Sequence, residues 1–237
     1  VSYRPITDVW ILARPKVKFY GAYPAGFLSR ARALLGVRPY DAVLHVCAGA
    51  VRQYPGPHNG VAYKGLGPND MTLDASPDYL PDFLRDANLE LPPLHVRRTE
   101  TPPTRVRLTS SDEPGDLHAM IEGGVYLERG DYGETKNLTA IPNAYWPSVL
   151  IDRPYTKADH LHYEASSRVS LPSANLLLRN ALRRVALGCR VGILDYVWPR
   201  PPLTGAVIGQ EVAVVAVLMG RGNQARVFTV FEKQQGD

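Results

Sequence analysis

The stretch from Ser148 to Val197 most constrains the fold, because its apolar pattern changes period twice. Ser148-Val149-Leu150-Ile151-Asp152 is a short continuous apolar run, which marks a strand buried on both faces. Residues 172–187 (PSANLLLRNALRRVAL) then put Leu178, Ala181, Leu182, Val185 and Ala186 on one face of a helix. Arg183 and Arg184 fall near its C-terminal end, where cations complement the helix dipole, and Gly188 is predicted to stop it. Residues 190–197 (RVGILDYV) return to a buried strand. Strand, helix, strand is the unit of a parallel sheet, since parallel neighbours need a crossover between them.

The rest of the chain extends that unit. Residues 24–35 (PAGFLSRARALL) read as a helix with Phe27, Leu28, Ala31, Leu34 and Leu35 on one face, Pro24 in the first turn and Gly36 just past the end. Asp41 to Cys47 reads as a buried strand, a second short strand ends at Leu73-Asp74, and a third lies near Asp82-Phe83-Leu84. Residues 211–219 and 225–232, joined through Gly220-Arg221-Gly222-Asn223, form a hairpin. Residues 95–140 are rich in Arg, Thr, Pro and Gly and read as an inserted β-rich segment. The 237 residues suit a single α/β domain: a mostly parallel sheet with helices on both faces and an antiparallel hairpin at its end.

Composition narrows the setting. No apolar run approaches the roughly 18–20 residues needed to span a bilayer, and Val212 to Met219 is only strand length. The opening Val1-Ser2-Tyr3-Arg4-Pro5 lacks a signal-peptide pattern. Cys47 and Cys189 both sit in apolar, strand-like segments and read as buried reduced thiols, so the expected location is cytoplasmic. The formal net charge of +4 permits a polyanionic partner without requiring one.

Candidate site residues gather where strands end. The small residues after Cys47, Ala48-Gly49-Ala50, would let backbone N–H groups approach a ligand closely; a plain tight turn is the competing reading. Asp74 ends the second strand, where a carboxylate can accept hydrogen bonds from a ribose diol, or cap the Ser76-Pro77-Asp78 turn. Asp86, beside Ala87, is placed to accept from an adenine amino group. Asp152-Arg153-Pro154-Tyr155 is the sharpest pattern: an acid closes a buried strand, a proline fixes the turn and an aromatic follows. Those groups can hold a planar amine with its nitrogen aimed at an electrophile; a capping Asp with a packed Tyr is the alternative.

In this order the motifs resemble the class I S-adenosylmethionine-dependent methyltransferases, in particular those that methylate amino groups of DNA bases. Val43 to Gly49 is similar to the family's first strand and Gly-rich turn for the methionine part of the cofactor, although His45 stands where the family usually has an acid. Asp74 matches the ribose acid, Asp86 the adenine acid, and Asp152-Arg153-Pro154-Tyr155 the D/N/S-P-P-Y/F/W motif, with Arg153 in place of its first proline. Lys18-Phe19-Tyr20-Gly21 is similar to a Lys-aromatic-x-Gly stretch that touches the cofactor carboxylate.

The resemblance covers about three quarters of the chain and leaves out residues 95–140. It implies a Rossmann-like fold with a seven-stranded sheet and S-adenosylmethionine as cofactor. Lys18, Tyr20, His45, Cys47, Ala48, Gly49, Asp74, Asp86 and Ala87 would hold the cofactor. Asp152, Pro154 and Tyr155 would be catalytic, and DNA the partner.

Arg153 could contact substrate or a phosphate. His160 and His162, close behind the Tyr155 turn, read as cleft-lining residues rather than metal ligands, since no Cys partner lies nearby. Arg97, Arg98, Arg105 and Arg107, with Tyr126 and Tyr132 downstream, suit phosphates and bases, or form a solvated ribbon. Two further readings stay open: a non-catalytic binding module of the same fold, and a methyltransferase acting on RNA or a small molecule.

Overall fold

A computed structural model of the chain describes residues 4–13, 23–49, 51, 67–97, 138–140, 145–153, 171–202, 207–219 and 224–235. Its frame is the apolar runs just described. Strands β2 (Val43–Val46), β3 (Met71–Asp74) and β7 (Trp146–Ile151) are buried along their whole length, as continuous apolar strands covered on both faces must be. With β4 (Phe83–Leu84), β8 (Val185–Asp195), β9 (Val207–Met219), β10 (Gln224–Gln235) and β1 (Ile6–Leu12) they form one sheet in the order β1-β9-β10-β8-β7-β2-β3-β4.

Among the described residues this is an eight-stranded mixed sheet, which corrects the expected seven. β4, β3, β2, β7 and β8 run parallel to one another, and β1 runs parallel to β9. β10 is antiparallel to both β8 and β9. The eighth strand is β1, at the open edge, and its sequence carries no clean alternation. Trp10 and Leu12 are buried there, while Ile6, Val9 and Ile11 are exposed.

Among the described residues, two α-helices cover the sheet from opposite sides. Helix α1 (Phe27–Leu35) buries Phe27, Leu28, Ala31 and Leu35 against Trp10, Leu150, Val215, Val217 and Phe228. Phe27 meets the edge of the Phe228 ring at 5.1 Å and stacks on Tyr23 at 5.3 Å. The helix starts after Pro24 rather than on it, and the Pro24 carbonyl accepts from the Phe27 N–H. Gly36 closes it as expected: at φ +72° its N–H reaches back to the last turn, a conformation that costs glycine little.

Helix α2 (Ala174–Arg184) buries Leu177, Leu178, Ala181 and Leu182 against Val149, Ile151, Val191, Ile193 and Phe231. Gly188 does not stop it. The chain turns straight into β8 at Val185, a β-branched residue that is fully buried in extended backbone. Gly188, at φ +76°, lies inside β8 where the register against β7 jumps from Trp146↔Val185 to Ser148↔Arg190.

The inserted segment is described only at its two ends, where β5 (His95–Arg97) and β6 (Leu138–Ala140) pair antiparallel as a separate ribbon. Arg98, Arg105, Arg107, Tyr126 and Tyr132 lie outside the described residues. Among those that are described, no helix is long and apolar enough to cross a membrane.

Packing across neighbouring strands is close at Gly192 in β8, between Phe228 of β10 and Leu150 of β7. A Cβ there would come within 2.7 Å of the buried Phe228 ring and 3.3 Å of Leu150. Gly192→Ala should therefore cost about 1–3 kcal/mol through overpacking, read as a lower urea midpoint with an unchanged slope.

Candidate functional site

The order of strands creates a switch point. From β2 the chain proceeds outward to β3 and β4, whereas β7 and β8 lie on the other side of β2. In an open α/β sheet, ligands sit outside the carboxyl ends of the strands at such a reversal. Here those ends carry Cys47 after β2, Asp74 on β3, Asp152 after β7 and Asp195 on β8.

Asp74 is the anchor of the turn. It is 5% exposed; its Oδ2 accepts from the Gly49 N–H at 2.8 Å and its Oδ1 from the Ser76 N–H at 2.9 Å. Burial raises its pKa, and the backbone N–H groups of Ser76, Gly49 and Ala75 pull it back down. The Ala48 N–H donates to the Leu73 carbonyl at 3.3 Å. The expectation that the Ala48 and Gly49 amides face a ligand is thus corrected: both fasten the turn to β3. Each Asp74 oxygen uses one acceptor direction on these bonds, and a carboxylate has about four.

The turn itself is unusual. Cys47 has φ +56°, in the left-handed region that side chains other than glycine, asparagine and aspartate seldom adopt. Gly49 follows at φ +52°. Cys47 is half-buried as a residue, and its thiol pKa is pushed well up, first by burial and then by Asp74 and Asp152. Arg153 lowers it and Asp86 raises it in smaller measure. One thiol therefore feels four of the charged residues picked out by the sequence pattern.

Asp152 lies 8% exposed beside this turn, its N–H donating to the Val46 carbonyl at 3.1 Å. Burial lifts its carboxyl pKa to about 7; Arg226, 3.7 Å away, lowers it and Asp195 raises it. A carboxyl held near neutrality at a strand end changes role with pH, accepting hydrogen bonds when ionised and able to donate one when protonated.

Arg153, expected to contact substrate or a phosphate, is engaged within the protein. It is 7% exposed and engaged with Asp195 on β8, Nε to Oδ2 at 2.5 Å and Nη2 to Oδ1 at 3.3 Å, while Nη1 donates to the Pro172 carbonyl. Asp195 also accepts from the Tyr196 and Val197 amides at 2.6 and 3.2 Å. Arg153 thus cross-links the carboxyl ends of β7 and β8. Asp195 escaped the sequence reading although it carries the Asp152 signature, an acid closing a buried apolar run (Ile193-Leu194-Asp195).

Two other expected cofactor residues have local duties. His45 is 1% exposed and faces away from the strand ends: its Nε2 lies 3.1 Å from Asp70 Oδ2, at the start of β3. Asp86 is half-buried and its Oδ1 accepts from the Asn88 N–H at 2.8 Å, closing its own turn beside the buried Ala87. Lys18, Tyr20, Pro154, Tyr155, His160 and His162 lie outside the described residues. Among the described ones, no group of three or more His, Cys, Asp or Glu side chains is arranged to hold a metal ion.

Two outcomes are expected. Arg153→Met strands the fully buried Asp195 charge and should cost about 3–5 kcal/mol in urea denaturation at pH 7; adding Asp195→Asn should recover most of it. The second concerns pH. Asp152 binds its proton more tightly folded than unfolded, so its contribution to stability is full below pH ~4 and is lost as pH rises through about 7. Asp152→Asn should then gain on the wild type by a few kcal/mol between pH 4 and pH 8, seen as a flatter profile of stability against pH.

No protein-family model matches the chain, and no curated protein does. Among solved structures, TrmN from Thermus thermophilus is similar at a TM-score of 0.36 and 15% identity, over 89% of this chain and 49% of that one. The chain spans about half the length of that protein.

Proposed function

We propose that the chain is an S-adenosylmethionine-dependent methyltransferase acting on a planar amine, with the exocyclic amino group of a DNA base as the preferred acceptor. The observation that carries this reading is the gathering of Asp74, the Cys47–Gly49 turn and Asp152 on adjacent strand ends at the switch point. The order of motifs in the sequence, from a small-residue turn to Asp74 and then to Asp152-Arg153-Pro154-Tyr155, supports it.

The residues present suit the cofactor. Asp74 keeps acceptor capacity for a ribose diol, and Ala48 and Gly49 leave the turn beside it without side-chain bulk. The acids Asp74 and Asp152 favour a cationic sulfonium nearby. When bound, S-adenosylmethionine supplies an electrophilic methyl group. Transfer of that methyl to the nitrogen would leave S-adenosylhomocysteine, and the nitrogen's proton would pass to water. Asp152, ionised, accepts a hydrogen bond from the amine and aims its lone pair; Tyr155 supplies the stacking surface. Transfer in line needs positioning more than a strong base. Arg153 takes the place of a proline by tying the turn to Asp195, so the turn is held by an ion pair.

Calorimetric titration with S-adenosylhomocysteine tests the reading. Binding in the micromolar range is expected, weakened at least tenfold by Asp74→Ala, a loss of about 1.4 kcal/mol or more. Absence of heat at millimolar ligand would leave a binding module without this cofactor. If Asp152 acts ionised, turnover should rise with pH to a plateau, with a midpoint near 7, and Asp152→Asn should remove that rise.

A further inference from the structure

Asp152 is approached by charges from several elements. Arg226 comes from β10 and Asp195 from the end of β8; Arg153 follows it in its own turn; Cys47 stands after β2, with Asp74 and Asp86 beyond. Asp195 disfavours a further negative charge at Asp152, and Asp74 and Asp86 do the same at Cys47. Arg153 is committed to Asp195. Arg226 is the cation directed at Asp152 itself, 3.7 Å from its Oδ1.

The placement of Arg226 has structural support. Antiparallel pairing of β10 with β8 sets Val227 opposite Asp195, which brings the preceding residue to the carboxyl edge of the sheet. Its guanidinium carbon then lies 5.7 Å from the centre of the Tyr196 ring. Tyr196 is in turn fastened by its N–H to Asp195 Oδ1. A chain of contacts therefore runs from Asp195 through Tyr196 and Arg226 to Asp152, and of these only Asp152 belongs to the site motifs read from the sequence.

We propose that Arg226 is a positioning residue for the reaction: braced on Tyr196, it holds the Asp152 carboxylate in its hydrogen-bond-accepting form at the mouth of the site. The proposal rests on the reading of Asp152 as the acid that meets the acceptor amine. It makes the C-terminal hairpin part of the active site as well as the edge of the sheet. Its cation opposes the burial and the Asp195 charge that favour the protonated acid.

The test follows the Asp152 carboxyl by carboxyl-carbon NMR in the full chain, as wild type, Arg226→Gln and Arg226→Lys. The wild-type midpoint is expected near 7. Arg226→Gln should raise it by about one pH unit, and Arg226→Lys should restore most of that change. With an oligonucleotide containing adenine and cytosine as acceptor, Arg226→Gln should lower turnover about fivefold at pH 7, leave KM for the oligonucleotide unchanged, and show no loss at pH 9. An unmoved midpoint in Arg226→Gln overturns the proposal, as does a turnover loss that persists at pH 9. If the midpoint moves while the wild type takes up no S-adenosylhomocysteine, control of Asp152 by Arg226 stands and the methyl-transfer reading falls.

Discussion

One buried carboxylate, Asp70, sets the geometry on which the strand-end site depends. Its oxygens accept from Arg32 Nη1 at 2.8 and 3.0 Å, from the Val43 N–H at 3.1 Å and from the Gly67 N–H at 2.7 Å, and His45 Nε2 lies 3.1 Å away. Arg32 spends its other donors on the carbonyls of Arg38 and Asp41, at 2.6 and 2.9 Å. Helix α1, the start of β2 and the start of β3 are thereby joined at one point. With that end pinned, Leu44 pairs with Met71 and Val46 with Leu73, and both strands finish level. The Cys47 turn and Asp74 are close enough to bond only because the strands were aligned three to four residues earlier.

The opposite end of the sheet is held by a second set of charges with a different balance. At the base the acid is saturated by an arginine and backbone donors, which suits a structural joint. At the carboxyl edge Arg153 and Asp195 form a buried ion pair, while Arg226 stands 3.7 Å from Asp152 and opposes its burial and a neighbouring acid. The contrast between the two ends separates frame from site. A carboxyl whose charge is nearly balanced between two states can respond to a ligand; one locked by four donors cannot.

The sequence made the parallel frame legible because β2, β3, β7 and the Val191–Asp195 half of β8 are buried on both faces and so read as largely apolar runs. It made Asp74 and Asp152 legible because each closes such a run. It gave no sign of the true surroundings of His45, which entered the cofactor set through the resemblance, standing where that family usually has an acid. Its true partner, Asp70, is 25 residues away and unmarked by any local pattern. At Asp86 the sequence carried a second, local signal, since Asp86-Ala87-Asn88 forms an Asx turn. β1 was invisible because an edge strand with exposed Val9 and Ile11 has no consistent face to alternate. Gly188 was given a stop that α2 did not need, since a bulge and a helix end ask the same thing of glycine.

Arg153 shows how a departure from a motif can be read physically. Proline at that position would fix the turn through its own ring; arginine fixes it from outside, through Asp195. The buried ion pair therefore ties Arg153, the residue after Asp152, to the end of β8. The same Asp195 orients Tyr196, on which Arg226 rests. An acid that touches no expected ligand thus governs the Asp152 turn twice, once through Arg153 on its own strand side and once through the hairpin. Loss of Asp195 would free the turn and displace the cation at once, so the two supports of Asp152 are coupled rather than redundant.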